Sequence, residues 1–209
     1  QGTPVCAFRH WGSPRAPPLA GSYMPAFLAG QGLARSLAAL HQVPLWEISH
    51  QENHLEAALW SAGGPREERF LFLHASGGTT DLLLAERDGD HYVLTPVGGS
   101  LDLHAGQFVD RVGVALGLSF PAGPALEQLA AQHQTLPELP VAVRGTQASL
   151  SGPCTAALRA LERGMAPADL AAGVQYVLAE TFTRLIRNGA AQYDVAQVLL
   201  AGGVSSNAW

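Results

Sequence analysis

The stretch RFLFLHASGGTTDLLLAERDGDHYVLTPV, residues 69–97, decides the fold. Phe70 to His74, Thr80 to Glu86 and His91 to Val97 are apolar or alternate with a period of two. Ser76-Gly77-Gly78 and Arg87-Asp88-Gly89-Asp90 separate them and read as turns. Three strands joined in this way predict an antiparallel meander. Such a sheet needs a covering layer, and helices are expected over about Leu101–Leu116, Pro124–Gln132, Cys154–Arg163 and Pro167–Asn188. Pro167 suits a first helical position and Gly189 a C-terminal stop. Val195 to Leu200 then reads as a buried strand that opens into Ala201-Gly202-Gly203. Residues 69–209 therefore read as an α/β domain, a mixed sheet flanked by helices.

Upstream, residues 1–68 read as the tail of another lobe, closed by the break Gly63-Gly64-Pro65. Its elements are a strand at Val5–Phe8, a Pro-rich loop at Ser13–Pro18, a helix over about Pro25–His41, a strand at Leu45–Ile48 and a helix reaching about Ser61. Leu33, Leu37 and Leu40 fall at helical spacing and predict an apolar face, while Gly30 and Gly32 suggest close packing there. Ser49, with Glu52 three residues on, is a capping-box pattern that puts His50 in the first helical turn. The last strand and turn stop at Trp209, where a helix should begin, so the expected fold is incomplete at both ends.

Composition excludes several function classes. With 47% hydrophobic residues the chain is not a disordered segment. All 12 basic residues are arginine, which removes a P-loop lysine, a Schiff-base lysine and a lysine-rich nucleic-acid tail. A net charge of -5 means that a phosphate backbone must be met by a local patch or a partner protein. Only Cys6 and Cys154 are present, too few for a disulfide scaffold, and a reducing, cytoplasmic setting is expected. No run of 18 apolar residues exists, so no membrane span is expected.

Three segments carry candidate chemistry. In Ser49-His50-Gln51-Glu52-Asn53-His54 the histidines stand at i and i+4, the spacing that lets two imidazoles reach one metal, although capping or surface histidines fit equally. A zinc peptidase would need its glutamate directly after the first histidine, where Gln51 stands. In Ala75-Ser76-Gly77-Gly78-Thr79, backbone N–H groups bare of side chains can cradle a phosphate, although a plain hairpin turn has the same pattern. Leu199 to Asn207 delivers a Gly-Gly turn from a strand, which permits close approach of a nucleotide or merely of a packed element. Asp110, between apolar neighbours Val109 and Val112, is either a ribose-binding group or an ion-pair partner of Arg111 or Arg159.

Taken in order, these segments resemble the TsaD/glycoprotease family, the tRNA threonylcarbamoyl-adenosine transferases once labelled O-sialoglycoprotein endopeptidases. The family motifs H-x-E-G-H, S-G-G-H-T, D-D-A-A-G-E-A-F-D-K, Y-P-G-G-P and A-G-G-V-x-x-N look like His50–His54, Ser76–Thr80, Asp102–Arg111, Phe120–Pro124 and Ala201–Asn207. The resemblance implies an actin-like ATPase (sugar kinase/Hsp70/actin) fold. It implies transfer of the threonylcarbamoyl group from threonylcarbamoyl-AMP to the tRNA adenosine next to the anticodon. Carried over residue by residue, His50 and His54 would hold one divalent metal, iron or zinc. Ala75, Ser76, Gly77, Gly78 and Thr79 would face the phosphates of an adenine nucleotide, and Asp110, Gly123 and Asn207 would hold its adenosine. The implied partners are the other subunits of the threonylcarbamoylation complex and, through them, tRNA; a homodimer is compatible. The aspartate that completes the family's metal site has no counterpart within these residues.

Asn53, Thr79, Leu103 and Gln107 depart from the motifs, which is expected to strip polar groups from the pocket while keeping its frame. Two other readings accompany the transferase. One is a divergent, non-catalytic nucleotide-binding scaffold; the other is a glycoprotease-type metallopeptidase, which Gln51 disfavours.

Overall fold

A computed structural model describes residues 5–9 and 25–207; the Pro-rich stretch at Ser13–Pro18 lies outside them. The chain divides into two compact units, Gln1–Ser61 and Ala62–Trp209.

In the first unit, β1 (Val5–Arg9) pairs in parallel with β2 (Leu45–Ser49), and α1 (Pro25–His41) lies between them in the chain. Parallel neighbours need such a crossover. Among its described side chains α1 buries Ala34 and Ala38, whereas Leu33, Leu37 and Leu40 are exposed. The stripe read from the leucines is thus one residue, about 100° of helix, away from the one the unit uses. Gly30 and Gly32 face open space rather than a close neighbour. Helix α2 (His50–Ala62) follows β2 directly and buries Leu55.

The second unit is built on a six-stranded sheet in the order β6-β7-β5-β4-β3-β8. The meander is β3 (Arg69–Ala75), β4 (Thr80–Asp88) and β5 (His91–Ser100), with Phe72 opposite Leu83 and Leu84 opposite Thr95. Strand β8 (Val198–Ala201) runs parallel to β3 on its other side. All of β3 but Arg69 is buried, as a strand covered on both faces must be. Beyond β5 the sheet continues into a short hairpin, β7 (Gln147–Ser149) and β6 (Ala142–Arg144), which the sequence reading did not anticipate. Three-residue strands are too short to show a period of two.

The helices are α3 (Ala105–Ala115), α4 (Gly123–Ala130), α5 (Ser151–Glu162) and α6 (Pro167–Tyr193). Phe108, Val112, Leu126, Leu150, Leu170 and Val174 interlock the helical layer, and Leu185 meets Leu71, Leu73 and Leu82 of the sheet. Gly189 does not stop α6. It lies inside the helix, where a Cβ would come within 2.9 Å of Leu82 and 3.0 Å of Leu71. Its missing side chain lets the helix touch the sheet, and the turn out of the helix falls instead at Asp194, with φ 50°.

Helix α3 begins four residues later than Leu101 because Asp102 is committed elsewhere. One carboxylate oxygen accepts the N–H groups of Leu103 (2.6 Å), Leu150 (2.9 Å) and Ser151 (3.3 Å), and the other accepts the Ser149 hydroxyl at 2.6 Å. Asp102 thus anchors the start of α5 from 48 residues away. Desolvation pushes its carboxyl up, but the bonds from Ser149, Leu150, Leu103 and Ser151 outweigh this and hold it well below the ordinary carboxylate range. Removing it by Asp102→Ala strands the N–H of fully buried Leu150, which is expected to cost about 1–3 kcal/mol. Because the folded value is depressed, the stabilisation is complete above the unfolded value of about 3.9 and is lost as pH falls through the folded one. Thermal melts should therefore show a gap between wild type and variant that holds from pH 7 to about pH 4 and narrows only in stronger acid; a gap absent at pH 7 excludes this anchoring role.

Candidate functional site

Strands β3 and β8 are parallel, with His74 beside Ala201 at their ends. The turn after β3 and the turn after β8 therefore leave the sheet at the same edge. Ligand sites in α/β sheets form beyond the carboxyl ends of such strands. The Ser76 N–H bonds to the Thr79 carbonyl at 2.8 Å, closing the first turn. In the second, Gly202 has φ 103°, and a Cβ there would lie 2.1 Å from the Ala75 carbonyl oxygen. The turn passes that close to β3 only because residue 202 has no side chain. The short 3-10 helix Gly203–Ser206 follows.

Helix α3 is clamped to the first turn. The Gly106 N–H bonds to the Ser76 carbonyl at 3.0 Å, and a Cβ on Gly106 would come within 2.6 Å of Gly77. The buried Thr80 hydroxyl accepts the Ala105 N–H at 2.8 Å while donating to the Thr79 carbonyl. This contact fixes the direction in which α3 presents Gly106, Val109 and Asp110, spaced i, i+3, i+4, to a cavity of about 750 Å³. Asp110 accepts the Ala122 N–H at 2.8 Å through Oδ1, which ties α3 to the start of α4. Among the ion pairs of the described residues Asp110 has none, so the partnership with Arg111 or Arg159 is not the one it makes.

Of the residues expected to meet a nucleotide, Gly77, Asp110, Gly123 and Asn207 line this one cavity. Gly123 has open space where a Cβ would stand. Ser76, Gly78 and Thr79 share the turn with Gly77 but do not line the cavity, and Ala75 is fully buried beneath Gly202. Three of the four departures from the family motifs, Thr79, Leu103 and Gln107, lie in the second unit away from the cavity wall. Leu103 is 3% exposed in the helical core, the Gln107 carboxamide accepts the His104 N–H at 3.2 Å, and none of Thr79, Leu103 and Gln107 lines the cavity.

The sequence reading missed one whole wall. Helix α6 contributes Gln175, Leu178, Ala179, Phe182, Thr183 and Ile186, a stripe at helical spacing. A sequence signal did exist. Gln175 is a polar residue inside the apolar run Leu170–Leu178, and a buried polar group is more informative than an exposed apolar one.

His50 and His54 belong to the first unit. The capping box that sets them is formed: the Ser49 hydroxyl accepts the Glu52 N–H at 3.1 Å, and the Ser49 N–H donates to the Glu52 carboxylate. Glu52 is thereby engaged as a cap. The two Nε2 atoms stand 3.1 Å apart, with the rings edge to face at 86°. Two nitrogens bound to one tetrahedral metal at about 2.0–2.1 Å stand roughly 3.3 Å apart, so the pair fits two adjacent ligand positions. Among the described residues no third His, Cys, Asp or Glu completes a group of three.

Burial pushes the Cys154 thiol up, against the opposing Arg111 charge, which leaves it protonated and inert at neutral pH. Burial likewise pushes the Asp81 carboxyl up, with His104 opposing. No described helix is long and apolar enough to cross a membrane.

The sheet, its covering helices and the cavity beyond the ends of β3 and β8 define an α/β protein of the actin-like class. The same fold is seen in HypF from T. kodakarensis, with a TM-score of 0.64 at 16% identity over 85% of this chain and 34% of that one. Full-length HypF in its phosphate- and nucleotide-bound form gives 0.63 at 13% identity, over 84% and 38%. Sequence comparison then fixes the family. The chain belongs to the TsaD family, tRNA N6-adenosine threonylcarbamoyltransferase, whose model matches residues 21–209. It is 37% identical over 188 residues to the enzyme of that name from Methanopyrus kandleri, covering 88% of this chain and 52% of the relative. To the Synechococcus sp. (strain CC9605) protein of the same name it is 36% identical over 206 residues, covering 91% and 56%. A probable bifunctional tRNA threonylcarbamoyladenosine biosynthesis protein from Methanothermobacter thermautotrophicus is 34% identical over 183 residues, covering 88% and 33%. The chain spans about half the length of the first two relatives.

Proposed function

We propose that this protein serves tRNA threonylcarbamoyladenosine formation, moving the threonylcarbamoyl group from threonylcarbamoyl-AMP to the tRNA adenosine beside the anticodon. The observation that carries the proposal is the meeting of Gly77, Asp110, Gly123 and Asn207, drawn from four separate segments, on one cavity. In this reading the turn at Ser76-Gly77-Gly78 meets the phosphate through Gly77, its residue on the cavity wall. Asp110 keeps Oδ1 on Ala122 and offers Oδ2 to the ribose hydroxyls, while side-chain-free Gly123 lets the sugar come close.

In the transfer, the adenosine amine attacks the carbamoyl carbon. A C–N bond forms, the bond from that carbon to the phosphate oxygen breaks, AMP leaves and the amine releases a proton. The turn's contribution is to hold the AMP phosphate as it takes up the bonding pair. His50 and His54 would hold a divalent iron or zinc ion, which supplies Lewis-acid polarisation when bound. With a net charge of -5 and no lysine, tRNA would be gathered through partner subunits.

The test is to supply the protein, together with the partner subunits of its source, with threonylcarbamoyl-AMP and unmodified tRNA, and to read the modified nucleoside by mass spectrometry beside AMP release. His50→Ala with His54→Ala is expected to remove metal from the protein and lower product at least tenfold, while nucleotide binding stays. AMP binding without any product in the wild type would point instead to a nucleotide-binding scaffold.

A further inference from the structure

Helix α6 turns a second face to solvent beside the cavity wall. Thr183 and Ile186 line the cavity, and Arg184 and Arg187 follow them in the chain, so each arginine stands about 100° of helix from a wall residue. Both are exposed. The Asn188 carboxamide donates to the Gly145 carbonyl at 2.7 Å, which joins this part of α6 to the turn between β6 and β7. That turn carries exposed Arg144 on one side and exposed Gln147, opposite it in the hairpin, on the other. Arg144, Gln147, Arg184, Arg187 and Asn188 thus meet on one surface, although Gly145 and Asn188, which join it, are 43 residues apart in the chain. The acid among them is Glu180, which Arg184 holds at 2.7 Å. Arg144 and Arg187 enter none of the ion pairs of the described residues. Three arginines against one glutamate leave this surface positive on a chain whose net charge is -5. Arg144 alone would be the charge that guards an exposed edge strand, but Arg184 and Arg187 lie on a helix and guard no edge.

We infer that this surface, formed by α6 and the β6–β7 turn, is where the chain meets the sugar-phosphate backbone of tRNA. Recognition is by charge and by hydrogen-bond donors. Arginine forks fit phosphate oxygens in pairs, and Asn and Gln amides are common partners of phosphate and sugar groups. An acidic chain repels a polyanion over much of its surface, so a positive face next to the cavity also sets where the backbone lies. The inference rests on the tRNA reading given above: partner subunits gather the tRNA, and this face holds its backbone so that an adenosine can reach the cavity.

Fluorescence anisotropy of labelled, unmodified tRNA, titrated with the protein and its partner subunits at several salt concentrations, tests it. Each phosphate contact adds roughly 0.9 to the steepness with which log affinity falls against log salt. The double variant Arg144→Ala with Arg187→Ala is expected to lower that steepness by roughly two. It should also weaken tRNA roughly tenfold at about 0.1 M salt, while AMP binding and melting temperature stay, as for other surface substitutions. Arg144→Lys with Arg187→Lys keeps the charge and should restore the slope. The control is Arg111→Ala with Arg159→Ala, exposed arginines of α3 and α5, which should leave the slope at its wild-type value. An unchanged slope in the Arg144 and Arg187 variant, or an equal fall in the control, overturns the surface and leaves the transferase reading standing. A variant that keeps the slope but loses a partner subunit in analytical ultracentrifugation makes the face a protein interface and overturns the RNA assignment. A wild type that forms no complex with tRNA overturns both.

Discussion

Replacing Gly202 by alanine is expected to lower the melting temperature by roughly 10 °C and to abolish measurable nucleotide binding. Two effects add. The residue has φ 103°, a conformation an L side chain rarely adopts, and strain of that kind costs about 1–3 kcal/mol. The new Cβ would also sit 2.1 Å from the Ala75 carbonyl oxygen and 2.6 Å from its carbon, and neither is the end of a flexible side chain. Ala75 is paired with Thr80 on β4, so β3 cannot yield without opening the meander. Overpacking adds about 1–3 kcal/mol more. Relief can come only by moving the turn that carries Gly203 and Asn207 to the cavity. Gly203→Ala is the matched control, because nothing stands within 4 Å of its Cβ position. Differential scanning calorimetry of the two variants checks the contrast; equal melting temperatures would show that the 202 turn is not held against β3.

The second large effect is expected at Asp110. Its Oδ1 accepts the N–H of fully buried Ala122, so Asp110→Ala removes a ribose ligand and also strands a buried donor. That stranding costs about 1–3 kcal/mol and would confuse binding with folding. Asp110→Asn separates the two, because its amide oxygen keeps the Ala122 bond while the charge is lost. Charge-assisted hydrogen bonds are worth roughly 1.5–3 kcal/mol. Asp110→Asn should therefore weaken AMP about 10- to 150-fold and leave the melting temperature within a few degrees. Asp110→Ala should weaken AMP at least as much and also melt earlier. Wild-type AMP affinity in Asp110→Asn would reduce Asp110 to a tie between α3 and α4.

The cavity also explains how motif departures coexist with an intact frame. Leu103 fills the helical core, Gln107 caps α3 by accepting the His104 N–H, and Thr79 remains in the closed turn. None of these three positions lines the cavity.

The meander, the capping box at Ser49 and the Gly-Gly turn after β8 were legible because each is local: apolar alternation, a hydroxyl three residues before a carboxylate, a strand running into glycines. Those signals depend on neighbours in the chain, and the same residues carry them in the folded molecule. What remained hidden depends on residues far apart in sequence. Asp102 could not be read as the anchor of α5, because its partners Ser149 and Leu150 lie 47 and 48 residues away. Gly189 looked like a helix stop and is a contact point for Leu71 and Leu82. Leu33, Leu37 and Leu40 looked like a buried stripe, yet α1 buries Ala34 and Ala38. The sequence alone determined the meander, the strand before the Gly-Gly turn and the existence of the helices, though not the β6–β7 hairpin, and which glycines and acids could meet a nucleotide. The parallel pairing of β3 with β8 and the clamp of Gly106 on the Ser76 carbonyl decided that Gly77, Asp110, Gly123 and Asn207 share one cavity with Gln175. A periodic pattern states which face of an element is apolar, but only packing against distant elements states what that face meets.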